Sequence, residues 1–245
     1  MPTYSVEAFV LRHRDLGEDD KLLSLFTREH GRLSAIARGA RKKNSPLGGS
    51  TDTLTFARFM LAKGRRFEYV TQAQPLRTCL RVRGDLERLA HAMVFAELLE
   101  RTCGEEEPNE PAYSLALLLM ELLDSEAAPA CVLLWAELRL MGLLGYAPLL
   151  DQCARCHRPD IGKKVHFSPS AGGLVCAPCA VHRRDRLPLP AVAVEELRML
   201  ARATEPPEEL RATGALRRVT RAAWRHVLES DLKSAQFLDE LSERA

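Results

Sequence analysis

A multidomain α+β chain is predicted, with a small five-stranded β-barrel first and a helical region carrying an inserted four-cysteine module after it. Three observations predict it. Apolar residues alternate with polar ones through the first 80 residues, recur at three- and four-residue spacing after Arg81, and give way at Cys153 to two paired-cysteine motifs.

The barrel strands come first. Ser5 to Arg14 alternates, with Val6, Ala8 and Val10 on one face and Phe9 and Leu11 on the other. Lys21 to Thr27 and Gly31 to Ala37 are short apolar runs around the Glu29-His30-Gly31 turn, which predicts a hairpin. A flexible basic loop, Arg38 to Ser50, leads to two further strands, Thr53 to Ala62 and Phe67 to Gln72, joined at Lys63-Gly64-Arg65. Five short strands in so few residues fit an OB-fold β-barrel, and an SH3-like barrel fits almost as well.

The helices follow. Leu86, Leu89, Ala90, Met93, Ala96 and Leu99 mark one, Tyr113 to Leu123 a second, and Pro129 opens a third that ends near Leu144, before Gly145 and Pro148. Residues 191–203, 212–228 and 231–243 give three more, which are expected to return onto the first set. The organisation expected is therefore an OB-fold domain at 1–80, a first helical part at 81–150, a C4 module at 151–185 and a C-terminal helical part at 186–245.

Composition is that of a folded globular protein, 46% hydrophobic and 28% charged. The longest uncharged apolar stretches, Pro111 to Met120 and Leu140 to Leu150, are half the roughly 20 residues a membrane span needs. Charged residues Glu7, Arg12, Arg14, Asp15 and Glu18 to Asp20 occupy the place of a secretory signal's apolar core, so a cytoplasmic location is expected.

Seven cysteines in a cytosolic chain do not suggest a disulfide framework. Cys153-Ala-Arg-Cys156 and Cys176-Ala-Pro-Cys179, with 19 residues between them, have zinc-ribbon spacing. Each two-residue gap turns a pair of thiolates onto one ion, and two such knuckles complete a tetrahedron with no position left for a catalytic water. One structural Zn2+ is expected; reduced free thiols and a redox pair are the alternatives. His157, His166 and His182 lie near enough in sequence to replace a cysteine. Cys79, Cys103 and Cys131 read as small apolar side chains.

The net charge of +2 conceals segregation. Residues 1–80 carry 14 basic and 8 acidic side chains, a net +6; the next 70 residues carry −7, residues 151–190 carry +4, and the remainder −1. Concentrated positive charge on a near-neutral chain points to a local polyanion contact. Arg38, Arg41, Lys42 and Lys43 form the densest group, with Arg12, Arg14, Lys21, Arg28, Arg32, Lys63, Arg65 and Arg66 on neighbouring strands and turns. Lys163, Lys164, Arg183, Arg184 and Arg186 form a second cluster around the cysteines. Phe56, Phe59, Phe67 and Tyr69 can stack on bases or fill the barrel.

Enzyme signatures are absent. Phosphate-binding loops, zinc-protease helices, nucleophile elbows and the deaminase arrangement find no match in the sequence. Glu18, Asp19 and Asp20 read as solvated acids in preference to nuclease metal ligands.

Gly17-Glu-Asp-Asp-Lys-Leu-Leu-Ser-Leu-Phe-Thr-Arg-Glu-His-Gly31, followed by Ala37-Arg-Gly-Ala-Arg-Lys42, resembles the N-terminal signature of the bacterial recombination mediator family RecO. Leu144-Gly-Tyr-Ala-Pro-Leu-Leu-Asp-Gln-Cys153-Ala-Arg-Cys156 is similar to that family's junction between helix and zinc module. The resemblance implies no enzymatic activity, binding of single- and double-stranded DNA, annealing of complementary strands, and help to RecR in loading recombinase onto DNA coated by single-strand-binding protein. It also implies contact with that protein's acidic C-terminal tail, for which Arg139, Arg217, Arg218, Arg221 and Arg225 beside apolar helices are suited. The competing readings are a zinc-ribbon transcription or RNA-binding factor and a metal-dependent nuclease.

Overall fold

The computed structural model describes residues 2–244, with side chains through 242. The chain separates into two compact units, residues 1–124 and 125–245.

The first unit begins with strands β1 (Thr3–Leu16), β2 (Asp20–Thr27), β3 (Gly31–Ala37), β4 (Phe56–Ala62) and β5 (Glu68–Arg77). They close into a barrel in the order β1-β2-β3-β5-β4, antiparallel at every seam except the parallel join of β3 to β5. This is the predicted OB-type barrel. β1 is long enough to pair with β2 along one half and β4 along the other, and a bulge between Val10 and Arg12 bends it around the corner.

Val6, Ala8, Val10, Leu23, Leu25, Leu33, Phe59 and Leu61 fill the interior, as the alternation requires. The outward residues Phe9, Phe26 and Phe56 are buried too. Phe9 stacks on Phe56 with ring centroids 4.4 Å apart, and Tyr113 meets Phe56 and Phe26 at 5.9 and 6.0 Å. Tyr113 belongs to the helices of the same unit: α1 (Leu80–Gly84), α2 (Leu86–Thr102) and α3 (Glu110–Leu123). Asp85 caps α2 by accepting from the N–H groups of Glu87 and Arg88, and Asn109 caps α3 through Ala112. Phe56 and Phe59 are thus packing residues, while Phe67 and Tyr69 stay half-buried at the surface.

The second unit opens with α4 (Pro129–Leu143), buried without interruption from Cys131 to Leu138, against which α6 (Ala191–Arg202) and α7 (Thr213–Leu228) pack. Between α4 and α6 lies the cysteine module. It contains strands β6 (Val165–Ser168), β7 (Gly173–Cys176) and β8 (Leu187–Leu189), in the order β7-β6-β8, and the short helix α5 (Ala177–Ala180). α8 (Lys233–Arg244) ends the unit. Among the described residues no helix is long and apolar enough to cross a membrane.

Candidate metal centre and nucleic-acid interface

Cys153, Cys156, Cys176 and Cys179 bring their Sγ atoms within 4.8 Å of one another. The Cys156 and Cys176 sulfurs are 3.8 Å apart. A metal–sulfur length of about 2.3 Å implies a tetrahedral edge of about 3.8 Å, so the Cys156–Cys176 separation suits two ligands of one metal ion. The first knuckle is a turn in which the His157 N–H donates to the Cys153 carbonyl at 2.9 Å, with His157 in the left-handed region at φ +55°. The second begins at the end of β7 and lies on α5, so the sheet fixes Cys176 while the helix turns Cys179 back toward it.

The electrostatics of the four thiols favour a bound cation. Burial raises the Cys153 thiol, but N–H groups of Cys156, Cys176 and Arg155 directed at its sulfur outweigh this and bring it down to about 6. Cys179 is driven up to about 12, chiefly by its hydrogen bond to Cys176, with smaller contributions from burial and from Cys156 and Cys153. Four thiolates cannot coexist this closely unless a positive ion lies among them. The three nearby histidines are not part of the cluster. Cys79, Cys103 and Cys131 are buried, and burial raises all three thiols, which makes them poor nucleophiles.

The barrel's basic residues divide by their partners. Lys21 departs from the expectation of a surface cation: it is 7% exposed, and its Nζ lies 2.7 Å from the Asp52 carboxylate, so it is a structural ion pair inside the barrel rim. The Arg38–Ser50 loop, expected to be flexible, is a succession of hydrogen-bonded turns. Asp20 Oδ1 accepts from the Gly39 N–H at 2.8 Å, and the N–H groups of Lys42, Ser45 and Gly48 donate to the carbonyls of Gly39, Lys42 and Ser45. Arg41 clamps this loop to the β1–β2 turn. It pairs with Asp15 at 3.2 Å and donates to the carbonyls of Gly17 and Glu18. The Gly-Glu-Asp-Asp-Lys signature therefore organises the loop.

Lys42 lies 3.6 Å from Asp19, while Lys43 is exposed with no ion pair among the described residues. The Arg38 guanidinium sits over the Tyr69 ring at 4.8 Å, and Arg66 over Phe67 at 5.4 Å. Arg14 and Arg65 are exposed without ion partners among the described residues. On the outer face of β1, β2 and β3, register places Arg12 beside Ser24, Arg14 beside Leu22, and Ser24 beside Ser34. Arg12, Arg14, Arg32, Arg66 and Phe67 surround that floor in a groove of about 250 Å³. Two of its arginines already carry carboxylates: Arg12 meets Glu100 at 2.9 Å, and Arg32 meets Glu105 at 3.3 Å. Sequence reading missed the serine floor, although the alternation of β2 and β3 contains it, and missed both acids, which lie far away in sequence.

In the second unit Lys163, Lys164 and Arg184 are exposed, whereas Arg183 is half-buried and donates to Ser170 Oγ at 3.0 Å. Of the arginines suited to an acidic tail, Arg139 lies over Trp135, Arg217 donates to Ser242, Arg221 pairs with Asp239, and Arg225 with Asp231 at 2.6 Å. Arg218 is exposed without an ion partner among the described residues.

Residues 1–79 match the family model for the recombination protein O N terminal region, and residues 83–236 that for its C terminal region. The chain belongs to the RecO family. It is 40% identical to the DNA repair protein RecO of Roseiflexus sp. (strain RS-1), over 97% of this chain and 86% of that protein. The RecO of Pelotomaculum thermopropionicum is 36% identical over 98% and 94%, and that of Dehalococcoides mccartyi 30% over 98% and 96%. RecO membership agrees with both motif resemblances and with the barrel, which is the architecture expected for the N-terminal part.

Proposed function

We propose that this RecO family member is a non-enzymatic DNA-binding mediator of recombinational repair, binding single- and double-stranded DNA and annealing complementary strands. The observation that carries the reading is the arginine-lined groove on β1–β3, with its serine floor and the half-buried Phe67 at its wall. Arginines neutralise phosphates, small hydroxylated residues let a backbone approach closely, and an exposed ring stacks on bases without sequence preference. Arg12, Arg14, Arg32 and Arg66 serve the groove, and Arg65 with Arg38, Lys42 and Lys43 of the ordered loop extends the basic surface. Arg41 and Lys21 hold this surface in shape. Lys163, Lys164, Arg183 and Arg184 provide a second DNA contact beside the metal module, whose ion is one structural Zn2+. RecR and the C-terminal tail of single-strand-binding protein are the partners that family membership suggests, with Arg218 the cation best available to an acidic peptide.

Annealing of complementary oligonucleotides precoated with single-strand-binding protein tests the activity; no acceleration over the protein-free rate rejects it. The surface is tested by replacing Arg38, Lys42 and Lys43 with Ala. Each lost phosphate contact flattens the dependence of log affinity on log salt by about 0.7, so the triple variant is expected to lose about 2 units of slope on single strands, with RNA and duplex as competitors. An unchanged slope removes the loop from the contact surface and leaves the groove and the basic cluster of the second unit.

A further inference from the structure

The acidic segment after α2 is built into the groove. Its backbone runs beside the start of β3: the Arg32 N–H donates to the Gly104 carbonyl at 3.3 Å, and the Glu106 N–H donates to the Arg32 carbonyl at 3.1 Å. Gly31 is in the left-handed region at φ +66°, and a Cβ there would lie 2.1 Å from the Glu107 carbonyl oxygen, so this approach requires glycine.

The two acids on the groove differ in freedom. Glu100 is held on α2 with its side chain 16% exposed, so it fixes Arg12 and cannot withdraw. Glu105 is 67% exposed on a segment held to β3 through its backbone, so its carboxylate can swing away while the segment stays in place. Arg32, 24% exposed, is steadied from behind by the Cys103 carbonyl, which accepts from its Nε at 3.3 Å. Carboxylate and phosphate oxygens compete for the same guanidinium N–H groups.

We propose that Glu105 is a specificity-determining residue of the groove: a tethered competitor that yields Arg32 only to a ligand delivering several phosphates at once. This rests on the groove being the DNA site. A tethered carboxylate has an effective concentration in the millimolar range or above, so a single phosphate at lower concentration does not displace it. A strand already held by Arg14 and Arg66 presents its next phosphate as a tethered group too, and then competes on equal terms. Glu105 thus discriminates polynucleotide from free phosphate without touching the nucleic acid.

The experiment titrates a fluorescent oligothymidylate at several chloride concentrations against wild type, Glu105→Gln, Arg14→Ala, and Glu205→Gln. Glu205 is exposed just after α6 and does not line the groove, so its variant carries the same change in net charge with the groove lining intact. Glu105→Gln is expected to bind about two- to fivefold more tightly, the range of an exposed ion pair, with a slope steeper by about 0.7. Its binding should also become sensitive to millimolar inorganic phosphate at constant ionic strength, which wild-type binding resists. Equality of Glu105→Gln with Glu205→Gln, or weaker binding by it, overturns the proposal while a weakened Arg14→Ala keeps the groove as the DNA site. An unaffected Arg14→Ala overturns both.

Discussion

Strands of seven to fourteen residues close the barrel, and Val6, Leu23, Leu25, Phe59 and Leu61 fill it, whereas the cysteine module has strands of only three and four residues in an open sheet. Closure leaves the barrel without free edges, so every strand contributes hydrogen bonds on both sides and apolar burial within. The module protects one edge by docking Leu149 along β7, where the Leu174 N–H donates to the Leu149 carbonyl at 2.9 Å. Its long connection from Cys153 to Lys164 has no regular structure and buries little besides Cys153 and Ile161. The barrel is held by side-chain packing, whereas the module has only a small core around Phe167, Leu174 and Val175 beside four clustered cysteines, so different agents should dissolve them.

The largest expected effect is on the module. Binding of structural zinc to small cysteine sites is worth on the order of 10 kcal/mol of folding free energy. Cys153→Ser, or a strong chelator, should remove the metal and unfold residues 151–185 locally, while the barrel keeps its protection from amide exchange. Elemental analysis of the unmodified protein should give one zinc per chain. A content well below one, or loss of barrel protection in the variant, breaks the distinction. The converse substitution, Phe59→Ala, should cost the barrel about 3 to 5 kcal/mol, read from a denaturant midpoint, and leave the zinc content unchanged. A smaller effect belongs to the barrel rim. Asp52→Asn removes the counter-charge from buried Lys21, and because Asp52 is 43% exposed the loss is discounted to about 1 to 2 kcal/mol. An unchanged midpoint would mean that Lys21 finds water or another acceptor.

Periodicity carried most of the element list. β3 spans Gly31–Ala37 as expected, and α2, α3, α4, α6, α7 and α8 fall within a few residues of the helical stretches read from leucine spacing. The cysteine cluster was equally legible, because C-x2-C knuckles are local and four equal ligands have one obvious way to converge. What escaped was set by contacts distant in sequence. Lys21 looked like any exposed lysine because Asp52, which pairs with it, lies 31 residues away. The basic loop looked mobile because its anchors, Asp15 and Asp20, belong to the preceding hairpin. Alternation reports two faces for each strand but cannot say that Tyr113 packs on the outward Phe26 and Phe56. Arg32 and Glu105 were each visible, and only the fold joins them.

The aromatic patch under Tyr113 bears on where this chain can be cut. A fragment ending near residue 80 would include every barrel strand, yet it would strip the cover from Phe9, Phe26 and Phe56 and leave the Arg32 N–H without its Gly104 acceptor. Three adjacent phenyl rings on a β surface form an adhesive face, and such a fragment would self-associate before it displayed a nucleic-acid groove. The shortest soluble piece to express is therefore one carried through α3 and its capping residue, to residue 124.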